Sequence, residues 1–485
     1  MHRRKGGLTS YSPRELLTWM MKDSDLKKRL MVTVGIVLLV KLMSFIPVPG
    51  IDIEAVKSFA RMTGADSTIP GAYSFADSVL RRISILSMGL MPFFSACLLI
   101  QLASVIIRPI RRSLFSGEAG RTKIVRGTCI LALVLAFVQS VPLSALIQNR
   151  NYWNGLAFVP NPGIGFQITC ILTMTVAVFV VISLAELINK RGLGNGYAVI
   201  AVSAMAFDFL FDAYRVVISL PMNRIQISSL LLIVILFLGF MWGAYYIRKK
   251  DVPFAIKGNE SARVNFRMSM VGREPLSYAG LLVIIPIISQ ITKIYPAYLV
   301  SSIGLIFAFT FLYSWIVFDA KRSCDLMGQY GLIENNNDME AALRQNKQKA
   351  LLKTAIFLSA VFILPDLLEE FIGLKEWGGK ESFAFQIIPH VSVVIFTSVV
   401  FDIYEHVKFF KNKQASGITD WGVCYTAFTE DEADIKAAFL NGKSIPTLIE
   451  PFRYSWGMPI RTAVDQYRIY TPGTQVEGAR KLLVI

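Results

Sequence analysis

Charged residues are scarce in this chain. Asp, Glu, Lys and Arg make up only 17% of the 485 residues, whereas soluble domains carry about a quarter. Hydrophobic residues make up 54%, and they occur in repeated runs of about 20 residues, long enough to cross a bilayer. This composition excludes an ordinary soluble protein and indicates an integral membrane protein.

The residues that usually perform catalysis or bind metals are also few. The five cysteines are scattered with no CxxC or Cys/His cluster, and the only histidines are His2, His390 and His406, which we interpret as structural. This pattern indicates neither a disulfide framework nor a zinc site. HExxH, a metal-spaced carboxylate pair and a nucleophile elbow are all missing, and RGLGNG at 191–196 is too short and wrongly placed for a nucleotide loop. We expect RGLGNG to form a tight helix–helix turn instead. We therefore expect no enzyme activity, catalytic residue, metal or cofactor.

The apolar runs predict an all-α polytopic fold with about ten membrane-spanning helices. The net charge of +16 is concentrated in alternate loops. An excess of Lys and Arg usually marks cytoplasmic loops, so the charge pattern predicts that both termini are cytoplasmic. Residues 1–29 are polar and are expected to include an amphipathic segment on the membrane surface.

One stretch, 74–107 (SFADSVLRRISILSMGLMPFFSACLLIQLASVII), is built in two unequal pieces. The first carries Arg81 and Arg82 among apolar residues, and its pattern predicts a short amphipathic helix. Gly89 and Pro92 interrupt that pattern, and proline suits the first turn of a new helix. A break at membrane depth is tolerated only where protein or a water-filled cavity covers it. Two structures remain open for this stretch. One is an ordinary membrane span with a proline kink, and the other is a half-inserted helix followed by a full span.

The composition changes at about residue 414. From there the pattern predicts a small α+β domain in the order βαββα, with GVCYTA, IPTLIE and YRIYTP as its strands. It resembles a small prokaryotic domain described as signal-transducing and of unknown function.

Five stretches in order resemble the SecY family, the channel-forming subunit of the Sec protein translocon. These are KLMSFIPVPGID, ILSMGLMPFFSACLLIQL, SGEAGRTKI, LALVLAFVQS and LAELINKRGLGNGYAVI. The resemblance is strong over about 28–205 and weaker over 276–410, where AGLLVIIP and VVIFTSVVFD match.

The resemblance implies an hourglass channel made of two inverted five-helix halves, here 30–220 and 221–413, followed by the small domain at 414–485. It implies a plug at about 74–88 and an apolar ring that seals the waist. The plug positions are Ser74, Ala76, Val79, Arg82 and Ile85. The ring positions are Leu90, Phe94, Tyr197, Ala201, Ile285 and Ile395. A narrow apolar constriction of this kind excludes ions by dewetting.

The resemblance also implies a lateral gate, in which we place Gln101 and Gln139; a simple interhelical hydrogen bond is the alternative role for each glutamine. It implies SecE-like and SecG-like small membrane subunits, and a SecA-type motor ATPase or the ribosome on the cytoplasmic face. The secretory polypeptide and membrane lipid are the remaining partners. The expected docking residues are Arg248, Lys249, Lys250, Arg263, Lys321 and Arg322. The implied location is the bacterial inner membrane.

The chain departs from the family in the loop between the expected spans eight and nine. The family carries there an arginine needed for coupling to the motor or ribosome, whereas YGLIENNNDME has none and Asp338 falls at about its place. The hypothesis is a divergent or accessory translocon channel with an altered cytoplasmic partner.

A secondary transporter with a broken-helix substrate site is the alternative, since inverted repeats and broken helices also occur there. Asp208, Asp212 and Arg215 would then be its ion or proton site. Their position near the end of span five favours ordinary interfacial charges instead.

Overall fold

The structure is a computed structural model of the chain. It describes residues 23–55, 83–115, 118–149, 157–204, 224–248, 251–256, 259–267, 300, 303–308, 310–311, 320–333, 336–371, 390–418, 420–427, 430–452 and 466–483. Most of these residues are helical, and every helix and strand below lies within them.

The described residues of the first half of the chain include six helices of at least eight residues. They are α1 (Ser24–Met43), α2 (Met91–Ile106), α3 (Arg108–Phe115), α4 (Glu118–Gln148), α5 (Ile164–Arg191) and α6 (196–204). α1 begins at Ser24 because Asp23 caps it: Oδ1 of Asp23 accepts hydrogen bonds from the backbone N–H groups of Asp25 and Leu26, each at 3.0 Å. Such a cap satisfies two of the donors that a helix start leaves unpaired.

The second half contributes a hairpin and four long or medium helices. They are α7 (Arg224–Arg248), β1 (Asp251–Ile256), β2 (Asn259–Arg267), α8 (Ala320–Gln329), α9 (Asn336–Phe371) and α10 (His390–Ala415). β1 and β2 pair antiparallel. The segment 303–308 is also helical.

The chain ends in an α+β arrangement in the predicted order. It consists of β3 (Trp421–Ala427), α11 (Glu430–Gly442), β4 (Leu448–Phe452), β5 (Gln466–Pro472), a 3₁₀ turn (Gly473–Gln475) and α12 (Val476–Leu483). β5 lies between β3 and β4 and is antiparallel to both. We call residues 420–483 the C-terminal unit.

Two of the described helical segments are long and apolar enough to cross a membrane, Arg126–Gln148 and Ile164–Arg191. Two shorter apolar segments, Met91–Ser104 and Val234–Ile247, add to them. Many large apolar side chains on these helices are exposed, including Ile130 at 63% and Trp242 at 69%. Lipid is the solvent that suits such faces, because a soluble protein rarely exposes contiguous apolar patches of this size.

Several predicted boundaries are wrong. The excess of Lys and Arg in 108–126 predicts a cytoplasmic loop there, but α3 covers 108–115 and α4 begins at Glu118. The apolar runs predict the last two spans at about 354–368 and 385–403, but α9 begins at Asn336 and α10 continues to Ala415. Apolar runs mark only the part of a helix that lies in lipid, whereas a polar extension continues wherever backbone hydrogen bonds and packing sustain it.

Two other predicted features also differ. The excess of Lys and Arg in 248–275 predicts a cytoplasmic loop, but this stretch contains the β1–β2 hairpin. The described end of the expected plug, 83–88, forms turns rather than the predicted amphipathic helix. Its Ile83 has a φ of 42°, a region that β-branched residues rarely adopt.

Candidate functional site

The candidate site begins at the break before α2. Pro92 occupies the first turn of α2, as predicted, where its missing N–H leaves no helical hydrogen bond unmade. Before it, the backbone of 83–85 pairs with the chain that follows α1. The amide of Val48 donates to the carbonyl of Ile83 at 3.2 Å, and the amide of Ile85 donates to the carbonyl of Ile46 at 2.9 Å. These two bonds give backbone groups of the break protein partners, as a non-helical segment at membrane depth would require.

The second part of the site is the turn RGLGNG between α5 and α6. The side chain of Asn195 caps α6 by accepting from the amide of Tyr197 at 3.1 Å. The side chain of Asn189 accepts from the amide of Gly196 at 2.6 Å. Gly194 has a φ of +83°, which glycine adopts without steric cost. The predicted tight helix–helix turn is confirmed.

Thr33 of α1 ties this turn to the first helix. Its hydroxyl donates to the carbonyl of Arg29 at 3.0 Å and accepts from the amide of Leu193 at 2.8 Å. Both Thr33 and Leu193 are buried, at 7% and 1% exposure. One side chain thus fixes where α6 begins relative to α1.

Replacing Thr33 by valine is expected to lower the free energy of unfolding by about 1–3 kcal/mol, because the buried amide of Leu193 would lose its acceptor. Thermal unfolding of the purified protein in detergent measures this. The control is Thr169→Val, since the hydroxyl of Thr169 is exposed and donates only to the carbonyl of Gly165 in its own helix. Equal stability of the two variants would contradict the role given to Thr33.

Four of the six ring positions have described side chains, and all four belong to one apolar core. Leu90, Phe94, Tyr197 and Ala201 are between 2% and 4% exposed. Leu90 and Phe94 come from the start of α2, and Tyr197 and Ala201 come from the first turns of α6. The break and the turn thus bring two distant parts of the chain into one cluster.

Phe93 is a member of this cluster that sequence reasoning missed. It is fully buried, and its ring stacks on that of Tyr197 with centroids 4.5 Å apart and planes 7° from parallel. Such aromatic pairs add roughly 0.5–1.5 kcal/mol beyond the area that they bury. The only sequence signal was its position beside Phe94, and that does not tell which of two adjacent residues on a helix faces the neighbouring one.

The structure describes only some of the other predicted site residues. Ile85 is half-buried within the turns at 83–90. Three groups of predicted residues lie outside the described residues. They are the plug positions Ser74, Ala76, Val79 and Arg82, the ring position Ile285, and the transporter candidates Asp208, Asp212 and Arg215. Ile395 lies in α10 and Gln101 lies in α2, but their side chains are outside the described part. Gln139 is half-buried on α4, which packs against α2.

Two of the six expected docking residues, Lys321 and Arg322, have described side chains. Lys321 is exposed and Arg322 is half-exposed in the first turn of α8. Arg248 ends α7 and Arg263 lies in β2, both with side chains outside the described part, and Lys249 and Lys250 are outside it entirely. Within the described residues, no three or more His, Cys, Asp or Glu side chains group closely enough to hold a metal ion.

Comparison with known proteins identifies the family. The SecY family model matches residues 84–404, which is more than half of the chain. Protein translocase subunit SecY of Buchnera aphidicola is 35% identical over 145 residues, and that of Escherichia coli (strain K12) is 34% identical over 145 residues. These two matches cover 30% of this chain, and the chain spans only 40% and 32% of the lengths of those proteins.

A longer match and two solved structures extend the similarity. SecY of Rickettsia bellii is 26% identical over 382 residues, which is 71% of this chain and 87% of that protein. A protein conducting channel and the Sec61 of a canine ribosome-channel complex are each 13% identical to this chain. Their TM-scores are 0.53 and 0.52, and each match covers 80% of this chain and 92% of the other. The fold is therefore a helical polytopic membrane fold, and the chain belongs to the SecY family.

Proposed function

We propose that this chain is a protein-conducting channel subunit. It would pass unfolded secretory polypeptides across the inner membrane and release hydrophobic segments sideways into lipid. The observation that carries the proposal is the family match over 84–404, which begins at the turns before α2 and includes the turn that positions Tyr197. The name of the first solved structure, a protein conducting channel, agrees with it.

The buried apolar cluster at the starts of α2 and α6 favours a channel waist that is closed to ions. Leu90, Phe94, Tyr197 and Ala201 present apolar or aromatic side chains from two helices, and none of them is a charged or metal-binding group. An apolar constriction blocks ions by dewetting and forms no fixed bonds with a passing chain, so it can open around many sequences. Compared with the aliphatic residues of the family ring, Phe94 and Tyr197 are bulkier and Ala201 is smaller, so the seal of this chain would be packed differently.

The detailed membrane topology is part of the same proposal. It comprises about ten spans in two inverted halves, both termini in the cytoplasm, and the plug at about 74–88. It also comprises a lateral gate near Gln101 and Gln139, and SecE-like and SecG-like subunits. A ribosome partner is favoured by the name of the canine complex, and a SecA-type motor is the second candidate. Because the stretch 330–340 contains no arginine, we expect this chain to couple weakly to the ribosome and to a SecA-type motor. The matches give no support to the secondary transporter.

Photo-crosslinking of a secretory chain halted during passage tests the proposal. A photoreactive phenylalanine analogue at Phe94 is expected to crosslink to the halted chain, because Phe94 would line the waist. The control is the same analogue at Phe137 of α4, a phenylalanine that is 50% exposed on a lipid-compatible helix face.

Crosslinking from Phe94 at several times the yield from Phe137 would support the channel. Equal background yields from both positions, with the protein folded and a motor or ribosome supplied, would contradict it. The analogue at Ile395 provides a second position on α10, from the other proposed half.

A further inference from the structure

The core of the C-terminal unit is not self-contained. Its own apolar residues, among them Ile435, Phe439 and Ile469, form one cluster with residues from two other parts of the chain. Those residues lie on the β1–β2 hairpin and on the segment from α8 to the start of α9, and they are Val264, Ala320, Cys324, Met327, Tyr330, Leu332 and Leu343. We call 251–267 and 320–343 the docked segments.

Tyr330 contacts the C-terminal unit at two places. It is 8% exposed. Its ring lies against that of Phe439 with centroids 4.8 Å apart, and its hydroxyl donates to the carbonyl of Leu483 at 3.3 Å. A single side chain of a docked segment thus contacts both α11 and the end of α12.

A buried charge pair lies on the same side of the C-terminal unit. Glu432 and Lys436 of α11 are 3.2 Å apart, with side chains only 7% and 6% exposed. The hydroxyl of Tyr425 donates to Glu432 at 2.8 Å, and the ammonium of Lys436 lies 3.3 Å from the ring centroid of Tyr425. Burial lowers the pKa of Lys436 and the nearby charge of Arg322 in α8 lowers it further, against the raising effect of Glu432. Buried charges of this kind need a fixed geometry around them, and α8 is close enough to contribute to it.

The sheet of the C-terminal unit contacts a third element, α10. The ring of Phe409 lies 5.5 Å from that of Tyr470 in β5, and the ammonium of Lys413 lies 5.0 Å from the same ring. Phe409 is buried. α10 is one unbroken helix of 26 residues, so Ile395 and Phe409 are about 21 Å apart along one rigid axis, at 1.5 Å per residue.

We propose that the C-terminal unit is an intramolecular clamp, which holds the end of α10 against the docked segments and so restrains the proposed waist. This inference depends on the proposed function, because Ile395 belongs to the ring only if the chain is a channel. Well-packed interfaces exchange between discrete arrangements rather than stretching. The clamp therefore makes movement of α10 depend on release of Tyr330, Phe439 and Tyr470 from their neighbours. A protein or ligand that displaces the C-terminal unit would favour the open channel.

Hydrogen exchange and ion permeability of the full chain test the clamp. The variants are Phe439→Ala, on the C-terminal unit, and Tyr330→Ala, on a docked segment, so that loss of folding in one unit does not decide the result. Lys481→Ala, at an exposed position on α12, is the control. Each protein is purified with the subunits that accompany it and is placed in lipid vesicles.

Both variants are expected to raise amide exchange in 251–267 and 320–333 at least about tenfold, since local opening sets the rate of exchange. Iodide efflux from the vesicles should rise severalfold, and the control should change neither. Unchanged exchange in the docked segments would overturn the clamp. Faster exchange with unchanged efflux would overturn the restraint on the waist. Neither outcome bears on crosslinking at Phe94, so failure of the clamp and failure of the channel are distinguishable.

Discussion

The variant Gly196→Ala is expected to accumulate little folded protein. A Cβ at this position would lie 1.9 Å from the backbone carbonyl oxygen of Ala185 and 2.7 Å from its carbonyl carbon. Those atoms belong to the last turns of α5, so they cannot swing aside as the end of a long side chain could. The start of α6 would have to move away from α5, and with it Tyr197 and its stack on Phe93. We expect a loss of more than about 3 kcal/mol in the free energy of unfolding, at or above the upper end for overpacked cores.

The matched control is Gly127→Ala in α4, where a Cβ would meet nothing within 4 Å. This substitution is expected to be neutral or to stabilise by up to about 1 kcal/mol, because alanine favours a helix more than glycine does. Size-exclusion chromatography and thermal unfolding in detergent measure both variants. A Gly196→Ala protein as stable as the control would show that the close approach of α5 and α6 does not position the candidate site.

The variant Lys436→Met is expected to destabilise the C-terminal unit by about 3–5 kcal/mol. It would leave the carboxylate of Glu432, a side chain that is 7% exposed, without its buried counterion, and an uncompensated buried charge is costly. The double variant Glu432→Leu with Lys436→Met should recover most of this loss, because it removes both charges and keeps apolar volume. Tyr425 would then lose its acceptor, which limits the recovery by about 1 kcal/mol.

The pair Glu340–Arg344 in α9 provides the control. It has the same i,i+4 spacing, but its arginine side chain is 65% exposed, and exposed pairs contribute only about 0–1 kcal/mol. Denaturant unfolding followed by circular dichroism compares Arg344→Met with Lys436→Met. Losses of the same size in the two variants would mean that burial does not set the strength of the Glu432–Lys436 pair.

Local sequence features predicted several elements correctly. Pro92 and the apolar run after it marked the start of α2, since proline fits a first turn and an apolar run of this length forms a helix. RGLGNG predicted a tight turn because glycine and asparagine permit the backbone it needs. The strand and helix order of the C-terminal unit followed from short β-branched and aromatic runs bounded by turn residues. These predictions concern residues that are neighbours in the chain, and their local chemistry is sufficient.

The plug end and the hairpin show where local chemistry was insufficient. The helical spacing of Ile83, Ile85 and Leu86 predicted a helix, yet pairing with Ile46 and Val48 gives turns instead. Likewise, 251–267 reads as a charged loop, and it forms a hairpin whose Val264 is buried at 2% in the core that it shares with the C-terminal unit. In both segments a distant partner supplies the hydrogen bonds or the apolar cover, and this overrides the local preference.

By itself, the sequence determined that this is a membrane protein of the SecY family with an α+β C-terminal unit. Composition, apolar run length and motif order are properties of the chain alone. Only the tertiary structure decided that Phe93 stacks on Tyr197, that Gly196 lies against Ala185, and that the C-terminal unit completes its core with the docked segments. Each of these is a contact between residues that the sequence separates, and such contacts form only when several elements have packed together, since burial and close packing are shared properties of all of them.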